Sequence, residues 1–178
     1  MRLVRFNASK WHINPDKIGI MGFSAGGHLA STLGTHFDYG NPASNDSVEK
    51  MSCRPDFMVL MYPVISFTEP CTHKGSSEAL LGKDPDPELV KYYSNELQVK
   101  KDTPPAFLIH ADDDSGVPSE NSILMYRALK ANGVSAELHI VSAGEHGFGL
   151  STKDNHTGSW TYNLRLWLEW LNKEMVKK

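Results

Sequence analysis

The chain has little of what usually marks a protein class. Cysteine is scarce: Cys53 and Cys71 are the only two in 178 residues. They make neither a disulfide framework nor a metal-ligand pair, and read as unpaired thiols, with a single bridge as the alternative. Neither sign of charge dominates. The 18 basic and 21 acidic side chains leave a formal net charge of −3, with no electrostatic basis for binding nucleic acid or an anionic membrane. No apolar run is long enough to cross a bilayer. Residues 1–7 lack the apolar centre and cleavage site of a signal peptide, so the default expectation is a cytoplasmic chain. Internal repeats and low-complexity tracts are missing too. What remains is 40% hydrophobic and 22% charged, ordinary for a globular protein. Its length suits one domain over residues 1–178.

Apolar runs and helical patterns alternate along the chain. Residues 2–11 read as a helix with Leu3, Phe6 and Trp11 near one face, broken by Asn14-Pro15-Asp16. Residues 17–21 form a short apolar strand, and 25–36 the helix that follows. A polar loop covers 38–55. The continuous run Phe57-Met58-Val59-Leu60-Met61-Tyr62 suits a strand buried on both faces. Residues 63–105 are irregular, with short helices expected at 76–81 and 87–93. An insertion of this kind sits where it could shape a pocket. A strand at 106–110 leads into Asp112-Asp113-Asp114, and a helix at 119–131 follows with Ser119 as its cap. The last strand, 137–141, gives way to Gly144-Glu145-His146-Gly147-Phe148-Gly149. Trp160, Leu164, Trp167, Leu168, Leu171 and Met175 form a helical stripe that reads as core. Alternating strands and helices predict an α/β fold with a mostly parallel sheet flanked by helices.

The chemistry is concentrated at three strand ends. Gly22-Phe23-Ser24-Ala25-Gly26 is a Gly-x-Ser-x-Gly pentapeptide between a strand and a helix, the setting of a nucleophile elbow. Gly22 and Gly26 fit because a side chain at either would crowd the turn. The pattern alone is expected about 0.1 times by chance in a chain of this composition, so its surroundings decide. A serine hydroxyl is a weak nucleophile. It needs a base to take its proton and an acid to orient that base. The loops after the later strands supply both types, Asp112–Asp114 and then His146, in the order Ser, Asp, His. Groups in open parallel sheets act at the carboxyl ends of strands.

Three segments together resemble the α/β-hydrolase superfamily: Gly22-Phe23-Ser24-Ala25-Gly26-Gly27-His28-Leu29-Ala30, then His110-x3-Asp114-x2-Val117-Pro118-x2-Asn121-Ser122, then Gly144-x-His146-Gly147-Phe148-Gly149. Within it the chain is most similar to bacterial esterases of acetylxylan-esterase type, relatives of the prolyl-oligopeptidase-like hydrolases. The resemblance implies Ser24 as nucleophile, His146 as general base and acid, and Asp114 as the acid, with Asp113 as the alternative. The backbone N–H of Ala25 is implied as an oxyanion donor, and no cofactor is needed. The implied activity is hydrolysis of short acyl esters, acetyl groups on xylan or another carbohydrate among them.

The sequence departs from that pattern in two ways. The fold places several strands before the elbow strand, whereas some seventeen residues precede Ile18 here. No His-Gly-Gly loop is present to supply a second oxyanion donor. The expectation is therefore the C-terminal two-thirds of the fold, with an open sheet edge that favours self-association. Two other readings stand beside the esterase. One is a weakly active fragment serving as an assembly or binding module, the other a prolyl-oligopeptidase-like peptidase. A metal cluster of His110, Asp112–Asp114 and His146 is weighed and set aside, because the triad accounts for the same residues. His28 and His110 read as packing or hydrogen-bonding residues, and His139 as half-exposed on its strand.

Overall fold

The computed structural model of the protein describes residues 1–150 and 155–176. Its centre is a parallel sheet of four strands in sequence order: β1 (Ile20–Phe23), β2 (Met58–Met61), β3 (Ala106–Ala111) and β4 (Ala136–Val141). Their register aligns Phe23 with Met61, Met61 with Ile109 and Ala111 with Val141. The carboxyl ends therefore lie along one rim. The helices are α1 (Arg2–Phe6), α2 (Ala25–His36), α3 (Lys74–Leu81), α4 (Pro87–Tyr92), α5 (Glu120–Ala131), α6 (Asn155–Gly158) and α7 (Trp160–Val176), with a 3-10 turn at Asn95–Gln98.

Side-chain alternation explains why the central strands are apolar throughout. Successive residues of a strand face opposite ways. Met58, Leu60, Ala106 and Leu108 meet Ala30 of α2 and Met125 and Leu129 of α5 on one face. Val59, Met61, Phe107 and Ile109 meet Trp160, Trp167 and Leu171 of α7 on the other. With helices on both faces, β2 and β3 are buried along their whole length. Each such side chain contributes roughly 1.5–3 kcal/mol through burial. The stripe read from the sequence is thus core at Trp160, Trp167 and Leu171, with Leu164 and Leu168 packed beside it. The side chain of Met175 lies outside the described residues.

Other expectations shift. The first helix ends at Phe6 instead of reaching Trp11. Leu3, Phe6 and Trp11 are all exposed, so no apolar face is buried to prolong a helix too short to persist alone. Arg5 holds the segment instead. Its guanidinium donates to the carbonyls of Pro15, Ser52 and Arg54 and pairs with Asp56 at 2.9 Å. The elbow strand also lies further along than 17–21, at Ile20–Phe23. Ser119 stands at the start of α5, but its hydroxyl makes no capping bond. His73 caps α3, its Nδ1 accepting from the Ser76 N–H at 3.2 Å. Cys53 and Cys71 are free thiols.

Two buried amides pin the connection between β2 and β3. Asn121 Oδ1 accepts the N–H groups of Ile65 and Ser66, and its Nδ2 donates to the Cys71 carbonyl. Asn95 Nδ2 donates to the His28 carbonyl and the Ser31 and Thr32 hydroxyls, tying the 3-10 turn to α2. Among the described residues, no helix is long and apolar enough to cross a membrane.

Candidate active site

Ser24 stands at the junction of β1 and α2 with φ 53° and ψ −121°. Positive φ is uncommon outside glycine and costs of order 1–3 kcal/mol unless neighbours over-determine it. Here they do. The Ser24 N–H donates to the Met61 carbonyl, while its own carbonyl accepts from Gly27, His28 and Val64. The turn is tight because β1 runs almost into the first turn of α2. A Cβ on Gly22 would lie 2.0 Å from the Gly26 carbonyl oxygen, and one on Gly27 would lie 2.7 Å from Pro63 Cβ. Gly26 differs from the sequence expectation: a Cβ there meets no atom within 4 Å. The crowded pair is Gly22 and Gly27, because Gly26 points away from both the strand and Pro63.

The strained turn lifts the Ser24 hydroxyl to the rim, where the loops after β3 and β4 converge. Ser24 Oγ is 2.8 Å from His146 Nε2, and His146 Nδ1 is 2.6 Å from Asp114 Oδ2. A carboxylate can only accept, so Nδ1 carries the ring proton and the Nε2 lone pair faces the serine hydroxyl. The Asp114 side chain is fully buried, whereas that of His146 is about a third exposed. Solvent or a substrate can thus reach the serine end of the row but not the carboxylate end. Asp113 does not touch His146. Its Oδ1 accepts the N–H groups of Gly144 at 2.9 Å and Glu145 at 2.8 Å, anchoring the loop that carries the histidine. Ala25 opens α2, so its N–H has no carbonyl four residues back within the helix and is free to face a ligand.

Tyr62 is a site residue that the sequence reading missed. It follows β2 with φ 36°, and its ring meets His146 edge-on at 5.2 Å and Phe148 at 4.8 Å. Its hydroxyl accepts the Gly149 N–H at 3.1 Å, fixing the far side of the histidine loop. Burial pushes the phenol above its usual range, which keeps it neutral beside the imidazole. The available signal was its place at a strand's carboxyl end, the rule already applied to the other three strands.

His28, His139 and His110 are each held by specific polar partners. His28 stacks on Phe67 at 4.6 Å and its Nε2 lies 2.8 Å from the Tyr93 carbonyl. Burial lowers its pKa, so it is a neutral donor. His139 is half-buried, 2.7 Å from Glu137. His110 is fully buried next to Asp114. Among the described residues, no group of three or more His, Cys, Asp or Glu side chains is placed to hold a metal ion. A cavity of about 460 Å³ opens beside Ala25; Leu29, Phe67, Leu80 and Tyr93 are among its walls, and His28, Thr32, His73 and Ser76 are polar residues lining it.

Comparison with known proteins agrees with this architecture. The BD-FAE family model matches residues 1–129. An acetylxylan esterase of Xylanibacter ruminicola is 41% identical over 172 residues, covering 94% of this chain and 33% of that protein. Endo-1,4-beta-xylanase B of Butyrivibrio fibrisolvens is 40% identical over 158 residues, covering 89% of this chain and 25% of that protein. Among solved structures, an acetyl ester-xyloside bifunctional hydrolase from Caldicellulosiruptor lactoaceticus superposes with a TM-score of 0.94 at 51% identity, covering 96% of this chain and 62% of that one. The chain thus spans about a quarter to a third of those curated relatives and under two-thirds of the solved one.

Proposed function

The chain belongs to the BD-FAE family and has the α/β-hydrolase fold, and from that premise we propose that it is a serine carboxylesterase acting on short acyl esters of carbohydrate. The observation that carries this reading is the unbroken row from Ser24 Oγ through His146 to Asp114, with links of 2.8 and 2.6 Å. In the proposed reaction His146 Nε2 takes the Ser24 proton as Oγ attacks the ester carbonyl. Asp114 steadies the imidazolium, and the Ala25 N–H donates to the developing oxyanion. His146 then protonates the leaving alcohol. Water attacks the acyl-serine with the same residue as base, releasing the acid and restoring Ser24. No cofactor enters these steps. The acetyl and xylan preference rests on the names of the relatives, two of which are an acetylxylan esterase and an acetyl ester-xyloside hydrolase.

Within this reading residues 1–178 act as one domain, and residues 63–105 shape the substrate cavity beside Ala25, since Phe67, His73, Leu80 and Tyr93 all come from that segment. The only Gly-Gly pair is Gly26-Gly27 in the elbow, so Ala25 is the one oxyanion donor assigned. Turnover by this chain alone should then lie about 10²- to 10³-fold below that of a two-donor relative. Fluorophosphonate labelling and release of p-nitrophenol from its acetate ester test the proposal. Both should vanish in Ser24→Ala. Folded wild-type protein that neither labels nor turns over would defeat it. Acetate release from acetylated xylo-oligosaccharides tests the substrate.

The open side of the sheet favours a second reading, in which the chain also serves as an assembly module. β1 is an edge strand whose Met21 and Phe23 are 44% and 37% exposed, a surface that favours pairing with another copy. Sedimentation should show self-association that weakens in Met21→Lys. A monomer at all concentrations excludes it.

A further inference from the structure

Asp114 places a negative charge where no solvent reaches it, and its acceptor positions are filled one by one. Oδ1 takes the N–H of Gly116 at 3.0 Å and of Val117 at 2.8 Å. Oδ2 faces His146 Nδ1 at 2.6 Å. The remaining neighbour of Oδ2 is His110 Nε2, at 3.3 Å. His110 is itself fully buried at the middle of the rim, on β3 one turn of chain before the acid.

The protonation of His110 follows from its partners. Its Nε2 lies 2.8 Å from the Val117 carbonyl oxygen, which can only accept, so Nε2 bears the hydrogen. Nδ1, 2.8 Å from Ser122 Oγ, then has its lone pair free to accept the hydroxyl proton. Burial lowers the pKa of His110, more strongly than the nearby Asp114 carboxylate raises it, and the ring is uncharged. That neutrality has a use. A cation at this place would pair with Asp114 and compete with the His146 imidazolium for its charge, whereas a neutral ring packed beside the carboxylate leaves its charge available.

On the reading of Ser24, His146 and Asp114 given above, we propose that His110 is a positioning residue for this site. Its Nε2–H, donated to the Val117 carbonyl, locks the 114–117 turn, and its ring edge, 3.3 Å from Asp114 Oδ2, confines that oxygen to the side facing His146 Nδ1. The Val117 carbonyl fixes the Nε2–H tautomer, and the Ser122 hydroxyl donates to Nδ1. Asp114 is thereby fixed from both sides: its own turn supplies two N–H donors to Oδ1, and His110 supplies the restraint on Oδ2 opposite His146. A shift of the carboxylate would pass directly to the imidazole, whose other contacts are Ser24 Oγ and the edge of Tyr62.

Two substitutions separate the donor from the bulk of the ring. His110→Asn puts an amide near the Nδ1 position, keeping a partner for Ser122 but withdrawing the donor from Val117 and the ring edge from beside Asp114. His110→Gln extends an amide N–H toward the Nε2 position. With p-nitrophenyl acetate, His110→Asn should lower kcat roughly 10- to 100-fold through misplacement of the acid, with KM changed by no more than about twofold. The far-downfield proton resonance of the Asp114–His146 hydrogen bond should disappear in this variant. His110→Gln should keep the resonance and recover most of kcat. Loss of both signals to the same degree in the two variants would overturn the proposal, as would an unchanged resonance and kcat in His110→Asn. Wild-type protein gives a check that needs no variant to fold. Nitrogen-15 spectra at pH 7 should show His110 as the neutral Nε2–H tautomer. An Nδ1–H tautomer, or a doubly protonated His110 ring at that pH, also overturns it. The two ideas can fail separately: an unlabelled Ser24 defeats the esterase reading, while the spectra still decide the role of His110.

Discussion

Gly22 and Gly26 flank the same serine, yet adding one methyl group should affect them in opposite directions. In Gly22→Ala the new Cβ would stand 2.0 Å from the Gly26 carbonyl oxygen and 2.4 Å from its carbon. Both are backbone atoms, so no side-chain rotation relieves the clash. The end of β1 and the first turn of α2 must separate by about 1 Å before the contact is tolerable, an overpacking that costs roughly 1–3 kcal/mol. Ser24 lies between the two elements. Moving it by that distance breaks the 2.8 Å contact with His146 and should slow acylation roughly 10²-fold. In Gly26→Ala the Cβ meets nothing within 4 Å, and a helical Gly-to-Ala change gains up to about 1 kcal/mol of backbone entropy. Urea unfolding followed by tryptophan fluorescence, with fluorophosphonate labelling rates on the same samples, measures both quantities. Gly22→Ala should lower the midpoint and the labelling rate together, and Gly26→Ala should hold or raise the midpoint. Equal losses in the two variants, or a Gly22→Ala protein with wild-type midpoint and rate, would refute the reasoning.

Three further outcomes follow from other contacts. Asp114→Asn should reduce kcat by on the order of 10³- to 10⁴-fold, because an amide no longer selects the ring tautomer. Asp113→Asn, whose oxygen only anchors the Gly144 and Glu145 N–H groups, should stay within about tenfold; the two kcat values side by side decide which carboxylate is the acid. Glu96 is buried with neither carboxylate oxygen hydrogen-bonded, and burial pushes its carboxyl above the usual glutamate value of 4.5. The folded state therefore holds this proton more tightly than the unfolded chain does. Its contribution to stability is full below pH 4.5 and is lost as pH rises through the folded value. Glu96→Gln should gain about 1–3 kcal/mol at pH 8 relative to its effect at pH 4, and unfolding curves at the two pH values that shift equally would contradict this. Arg5→Met leaves the Ser52 and Arg54 carbonyls without their donor and Asp56 with the Ile18 N–H alone. It should cost roughly 2–4 kcal/mol, less than a fully buried pair because both side chains keep some exposure, as chemical denaturation would show.

Features that depend on local order along the chain were readable from the residues alone. The runs at 57–62 and 106–110 are apolar without alternation because both faces of those strands are covered, and that pattern is visible before any contact is known. Ser24 was legible because a strand, a glycine-flanked turn and a helix are contiguous in the chain. His146 and the acidic turn were legible because each follows its own strand. Tertiary structure decided what depends on distance between segments. Which aspartate faces His146 is fixed by the 114–117 turn closing on Oδ1, and Asp113, one residue away, is turned instead to the backbone of Gly144 and Glu145. The span of α1 depended on whether Leu3 and Trp11 had a surface to cover, and they do not. Gly26 was misread because crowding is a property of the neighbouring strand and of Pro63, which lies far along the chain. Tyr62 joined the site only when folding brought Gly149 and His146 to it, through contacts spanning more than eighty residues. Local chemistry singled out Ser24 and His146. Packing between distant segments brought Asp114 rather than Asp113 to His146, set the angle of the imidazole and placed His110 behind it.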